Sequence, residues 1–275
     1  MNPCRVGLSL SAARHDPPEQ VLPRVAEVGI GAVELHMTEA WIGNPDPAYL
    51  HRLARLCARC GIIPWSVHTQ YGPQADVGAR NEEWRKEGVR LVAQGARALW
   101  EVGGTLAVLH PSGAVEDRER AAVVAAVRHS LQDLLETTAS FPVLLAVENM
   151  LPGQGGDRTQ ELADMMRGLP DRVCLCLDTG HASLTPEGVE LAKPLASRLA
   201  WLHLQDNMGD GDGHLPPFSG KLDWRGVARV LEAADYRGVY MFEISNAATE
   251  PSLPALAGLA QRLEDLRREV RADGS

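Results

Sequence analysis

The feature that most constrains this chain is an alternation. Eight short apolar, β-prone runs recur along it, and stretches of helical periodicity lie between them. The runs are "RVGLSLS", "AVELHM", "PWSVHT", "LAVLHP", "VLLAVEN", "VCLCLDT", "LAWLHLQD" and "VYMFEIS". The intervening segments include "PPEQVLPRVAEV", "EEWRKEGVRLVAQGARALWEV", "RERAAVVAAVRHSLQDLLETTA" and "WRGVARVLEAA". Helix starts are expected at Asp16-Pro17, Asp46-Pro47 and Thr185-Pro186, where a side-chain oxygen can cap free amides and Pro suits the first turn. Gly29 and Gly61 are expected to close two helices. Strand then helix, eight times, is the pattern of a (β/α)8 TIM barrel in the α/β class, and 275 residues suit one such domain of about 250. A doubly wound sheet would alternate likewise, but "VGLSLSAARHDPP" lacks the Gly-rich turn that such folds place after the first strand. One domain over 1–275 is expected, with residues 265–275, from the polar end "RLEDLRREVRADGS", fraying.

The runs also stop being apolar in a consistent way. Runs three to eight reach His68, His110, Glu148, Asp178, His203 and Glu243 at their C-terminal ends. Residues two apart on a strand share a face, so Cys174, Cys176 and Asp178 point one way, and Leu144, Ala146 and Glu148 line up likewise. Neighbouring strands lie roughly 4.8 Å apart, which puts these ends in one arc around the mouth where barrel enzymes keep their chemistry. Each carboxylate pair at about 5 Å repels by roughly 3 kcal/mol at an effective dielectric near 20, so protons or a cation must compensate. Interleaved histidines make a divalent cation the simpler answer.

The loop leaving run seven, "HLQDNMGDGDGH", fails as a calcium loop. Counting Asp206 as position one puts Met208 at position three and Pro217 at position twelve, where a bidentate Glu is needed. Its glycines instead allow Asp212 and His214 to fold back toward His203, with His181 as a further candidate ligand. Taken alone, Asp206, Asp210 and Asp212 would be a solvated turn. Glu34 and His36 on run two, and Tyr71 after run three, are placed to touch a substrate. Trp65, Trp201 and Trp224 wall the pocket or pack the core.

Composition removes several classes. A net charge of -9 disfavours a duplex nucleic-acid binder, which needs a basic face, although local Arg clusters keep that class open. No apolar run reaches the roughly eighteen residues of a membrane span, and "MNPCRVGLSL" lacks a signal-like apolar stretch, so a cytoplasmic protein without a membrane partner is expected. Five cysteines, an odd number, argue for reduced thiols, and Cys57-x-x-Cys60 reads as part of a helix.

The motifs "AVENM", "CLDTGHA", "HLQDN", "DGHLPPFSGKLDW" and "FEIS", spread over almost the whole chain, resemble the xylose-isomerase-like barrel superfamily. That group joins sugar isomerases and epimerases with endonuclease IV type nucleases for abasic DNA. The resemblance implies that Glu148, Asp178, His203 and Glu243 hold one divalent ion. In the sugar branch it implies Glu148 and Glu243 as the proton-carrying pair around an enediolate, with His181 contacting a sugar hydroxyl. The ketose 3-epimerases of that branch carry an Arg about six residues after the strand-seven His; Gly209 stands there in this chain. The nuclease branch adds ligands that match His68, His110, His181, Asp212 and His214, and multiple zinc ions. The first expectation is therefore a metal-dependent sugar isomerase or epimerase using one to three ions of zinc or manganese, with magnesium also open. A multi-zinc phosphoesterase for abasic DNA is the alternative, and a non-catalytic sugar-binding barrel the second. A homo-oligomer is compatible with all three.

Overall fold

The computed structural model describes residues 6–43, 46–244 and 253–273. All eight expected strands form. They are β1 (Val6–Ser9), β2 (Ala32–His36), β3 (Ile63–His68), β4 (Leu106–Leu109), β5 (Leu144–Glu148), β6 (Val173–Asp178), β7 (Leu199–His203) and β8 (Tyr240–Phe242). They make one parallel sheet in the order β7-β6-β5-β4-β3-β2-β1-β8. A parallel bridge between Leu204 and Phe242 brings its two edges together, with Leu204 N–H donating to Met241 O at 2.8 Å and Glu243 N–H to Leu204 O at 3.1 Å. The result is an eight-stranded, near-closed TIM barrel.

The helices surround it: α1 (Pro18–Glu27), α2 (Pro47–Cys60), α3 (Glu82–Val102), α4 (Arg120–Thr137), α5 (Thr159–Met166), α6 (Thr179–Leu184), α7 (Trp224–Ala233) and α8 (Leu253–Asp273). Local chemistry sets several of their ends. Asp46 caps α2 by accepting from Tyr49 N–H at 3.0 Å, Pro47 opens the first turn, and Gly61 closes the helix in the left-handed region at φ 66°. Gly29, at φ 86°, follows α1 in the same way. Cys57 and Cys60 both lie on α2, as the helical reading of that motif required.

Three expected ends differ. α1 starts at Pro18, with Pro17 at the cap position and no side-chain cap, so Asp16 lies one residue too early. Thr185 closes a helix instead of opening one: its hydroxyl donates to Ala182 O at 2.9 Å, and residues Gly188–Arg198, interrupted by Pro194, form 3-10 turns. The polar end read as fraying from residue 265 continues as α8 to Asp273. Arg267 anchors it, donating to Glu232 at 2.7 Å, to the Tyr240 hydroxyl at 2.8 Å and to Tyr236 O at 3.1 Å.

The core has two parts. One lies between strands and helices and is built from outward strand residues such as Val33, Leu35, Val147, Leu175 and Leu177. The other fills the barrel itself: Leu106, Val108, Ala146, Cys174, Cys176, Trp201, Val239 and Met241 form a separate buried cluster. The inward faces predicted for β5 and β6 are therefore present, and Trp65 packs against the same cluster. Among the described residues no helix is long and apolar enough to cross a membrane.

Candidate metal centre and active site

One step beyond the inner cluster, the same strand faces turn polar. His203 follows Trp201 on β7, Glu148 follows Ala146 on β5, and Glu243 lies just past the end of β8. Sheet register makes neighbours of groups remote in sequence: His36 pairs with His68, Glu148 with Cys176, and Asp178 with His203. All of these residues are at least nine-tenths buried.

His203 is the hub. Its Nδ1 lies 2.9 Å from Glu148 Oε1, 3.2 Å from Glu243 Oε2 and 4.0 Å from Asp178 Oδ2. Its Nε2 faces Glu34, 3.0 Å from Oε1. One Nδ1 proton cannot serve three carboxylates, and burial alone would discourage the charged ring. The surrounding anions nevertheless hold the imidazole well above its usual pKa. Glu148 ends well below the ordinary carboxylate range: burial would raise it, but His203, His110 and His68 outweigh burial. Glu243 goes the other way, lifted by burial and, against His203, by Asp178 and Glu148.

These residues fit a divalent ion. Glu148, Asp178, His203 and Glu243 each offer one ligand atom, and those atoms all lie within 4.8 Å of one another. Ligands about 2.1 Å from one ion stand roughly 3 to 4.2 Å apart, so little adjustment is needed. Glu148 Oε2 is buried without a hydrogen bond although His68 and His110 approach it at 3.4 and 3.2 Å. Two further groupings share Glu148: one with His68 and His110, the other with Cys176 and His203. Three carboxylates and one imidazole form a mixed oxygen and nitrogen donor set of the kind that binds divalent first-row ions.

His181, Asp212 and His214 form their own cluster at the rim and fall outside those groupings. Asp212 Oδ2 lies 3.4 Å from His181 Nε2 and 3.0 Å from His214 Nε2. Burial works against charge on His181, yet Asp178, Asp212 and Glu148 raise it to about 10. Asp212 and Glu243 similarly overcome burial to raise His214 to about 9. The glycine-rich loop thus folds back over the mouth as expected. The position of the Arg found in ketose 3-epimerases is a left-handed turn here, Gly209 at φ 82°.

Two readings of individual residues need correction. Asp206 does not belong to a solvated turn: it is fully buried, accepting from the amides of Gly220 at 3.0 Å and Leu222 at 3.1 Å and from Trp224 Nε1 at 2.9 Å. It is the internal anchor of the loop, so Trp224 belongs to the core. Glu34, expected to touch substrate, lies a layer below the cavity. It accepts from Ser66 Oγ at 2.7 Å and Trp201 Nε1 at 3.3 Å, and it braces His203. Burial would raise its carboxyl, but His203, His68 and His36 hold it at about 2. His36 and Tyr71, by contrast, line the cavity, with Tyr71 half exposed and 4.8 Å from the His110 ring.

Two amides, Asn149 in "AVENM" and Gln205 in "HLQDN", carry structure although the sequence reading gave them no role. Asn149 accepts from Asp178 N–H at 2.8 Å and donates to Asp178 O at 3.0 Å, and its carbonyl sits 3.0 Å from His181 Nδ1. Gln205 donates to Asp212 Oδ1 at 2.7 Å and to both oxygens of Asp178 at 3.3 Å, and it accepts from His214 N–H at 3.1 Å. It ties the rim cluster to the central one. A Cβ on Gly180 would collide with the Gln205 amide, so glycine is needed there for close approach. Asp178 Oδ1 also caps α6 through His181 N–H at 2.7 Å, leaving Oδ2 toward His203. The signal in the sequence was their place in those two motifs: Asn149 follows Glu148, and Gln205 stands two residues after His203.

A cavity of about 460 Å³ opens above the four central residues; it reaches Glu148, Glu243, His68, His110, His181 and Asp212. That volume suits a small polar molecule. Three solved structures share the fold over nearly their whole length. A D-tagatose 3-epimerase-like protein superposes with a TM-score of 0.81 at 19% identity, covering 98% of this chain and 100% of its own. A 3-keto-D-glucoside 4-epimerase from E. coli gives 0.75 at 17% identity, with 95% and 99% covered. An L-ribulose 3-epimerase gives 0.75 at 16%, with 98% and 97% covered. In sequence, an uncharacterised protein of Sinorhizobium fredii (strain NBRC 101917 / NGR234) is 27% identical over 233 residues, 73% of this chain and 75% of its own. An uncharacterised protein of Mycobacterium leprae (strain TN) is 24% identical over 286 residues, with 96% of each covered. The family model for the xylose isomerase-like TIM barrel matches residues 22–268, and the chain belongs to that family.

Proposed function

We propose that this chain is a metal-dependent enzyme that isomerises or epimerises a small sugar or sugar-derived acid. The observation that carries the reading is the meeting of Glu148, Asp178, His203 and Glu243, with Glu148 and Glu243 lining a sugar-sized cavity. The sugar epimerases among the structural relatives support the substrate class. A divalent ion on the four residues would polarise a substrate carbonyl and its neighbouring hydroxyl, lowering the cost of negative charge on oxygen.

The chain's own groups supply the rest. Glu148 and Glu243 flank the same point and differ in proton affinity, the first held ionised and the second pushed toward its acid form. One glutamate removes the proton next to the carbonyl and the other returns a proton on the opposite face or neighbouring carbon. Glu34, 3.0 Å from His203 Nε2, would hold the proton on that nitrogen and leave Nδ1 free for an ion. His181, fixed through Asn149, presents Nε2 to a hydroxyl.

The test is incubation of the Mn2+-loaded protein with a panel of ketoses in deuterated water. Carbon-bound deuterium should appear and should be lost in Glu148→Gln. A second reading, a multi-zinc phosphodiesterase for abasic DNA, draws on the grouping of His68, His110 and Glu148. An abasic duplex therefore belongs in the same assay, and nicking at catalytic rates without deuterium uptake overturns the first reading.

A further inference from the structure

One stretch of the cavity wall is basic. On the β1 side, a 3-10 turn (Ser11–Ala13) carries Ser11 and Arg14 into the cavity wall. Ser11 is 8% exposed, and its Oγ is buried without any hydrogen-bond partner. Arg14 Nη1 donates to Ser11 O at 2.7 Å, and among the described residues its guanidinium has no carboxylate. The turn is fastened from behind: Thr38 Oγ1 donates to Arg14 O at 2.5 Å and Trp41 Nε1 to Ala13 O at 3.3 Å.

The three buried arginines among the described residues are each paired with carboxylates. Arg85 is held by Glu82 and Asp133, Arg120 by Asp157 and Glu161, and Arg267 by Glu232 and Glu264. Arg14 is also the sole Arg or Lys among the described residues lining the cavity, whose carboxyl groups include Glu148, Glu243, Asp212 and Asp76. A guanidinium with free donors beside an orphan hydroxyl matches an oxyanion, which accepts several charge-assisted hydrogen bonds at once. The lining also offers acceptors, among them the Asp76 carboxylate and Gln154 Oε1, which is buried and unpartnered. Acceptors suit sugar hydroxyls.

We propose that Arg14 and Ser11 form an oxyanion subsite, so that the substrate is a sugar carrying a carboxylate or phosphate. This rests on reading the cavity as the substrate site and makes Arg14 a specificity-determining residue. The test is calorimetric titration of the full Mn2+-loaded chain with three matched probes: D-xylulose, D-xylulose 5-phosphate and D-xylonate. At least one anionic probe should bind about tenfold or more tighter than xylulose, the scale of one charge-assisted contact. The better probe separates phosphate from carboxylate. Arg14→Gln should erase that margin, weakening the anionic probe about tenfold or more relative to xylulose. Arg14→Lys, which keeps the charge without the planar fork, should retain part of the margin, and Ser11→Ala should lose part of it.

No preference for either anionic probe, or a preference unchanged in Arg14→Gln, overturns the subsite. Because the readout is binding, it stands apart from the deuterium experiment. Absent exchange with the margin intact sinks the enolisation, whereas exchange on neutral ketoses with no margin sinks only the subsite.

Discussion

The lower and upper halves of the barrel interior are built on the same strands, two residues apart, and obey opposite rules. Below, Leu106, Val108, Ala146, Cys174, Cys176 and Met241 fill the cylinder with apolar contact. Above, the next inward positions are His110, Glu148, Asp178 and Glu243. The lower half is held by burial, in which each group gains from its neighbours. The upper half places three carboxylates around one imidazole, an arrangement that costs stability unless a cation is bound. One pattern of alternating side chains thus serves packing and site construction, and only the last inward residue of each strand decides which.

Substitutions should separate the two. The largest expected effect is on turnover: Glu148→Gln should lower the rate of deuterium exchange by about 10²- to 10⁴-fold, as for loss of an acid/base group. The melting temperature of the ion-free protein should be unchanged or higher in Glu243→Gln, because burial, Asp178 and Glu148 already push that carboxyl toward its acid form. Leu106→Ala in the lower half should do the reverse, costing about 2–5 kcal/mol in chemical denaturation with metal affinity retained. A variant of the upper half that destabilises the ion-free chain as much as Leu106→Ala would break the contrast.

Smaller effects sharpen it. Glu34→Gln lies at the boundary, bracing His203 from below, and should weaken Mn2+ binding about 10- to 100-fold in calorimetric titration. A further effect concerns pH. His181 and His214 are raised to about 10 and about 9 in the folded, ion-free chain, above their ordinary value near 6.5. A raised folded-state pKa stabilises fully below the unfolded value and is lost as pH climbs through the folded one. Melting temperatures in chelator should therefore fall between about pH 6.5 and pH 10 from this source, and Asp212→Asn should flatten the fall. A fall of equal size in that variant would assign the dependence to other groups.

Much of this was legible in the sequence, for physical reasons. Strand alternation has a fixed period, so an inward Glu148 or Asp178 follows from inward Ala146 or Cys176 once the strand is recognised. The ends of runs three to eight needed no knowledge of contacts. What was hidden depends on partners distant in the chain. Asp206 sits among glycines and looks solvated, because the amides of Gly220 and Leu222 and the Trp224 ring nitrogen that bury it come from later residues. Glu34 looked like a rim residue, but His36 occupies the end of β2 and Glu34 lies one inward step lower. Thr185-Pro186 carries the letters of a helix start, yet Thr185 is already committed to Ala182 O, and Pro194 keeps the following turns from becoming an α-helix.

The central claim is that strand ends far apart in sequence grip one divalent ion. Crystals of the Mn2+-soaked protein, recorded at an energy where manganese scatters anomalously, test it directly. The account predicts a peak within ligand distance of Glu148, Asp178, His203 and Glu243 together, absent in Glu148→Gln/Glu243→Gln. A peak elsewhere, or none between those four side chains at saturating Mn2+, would contradict it.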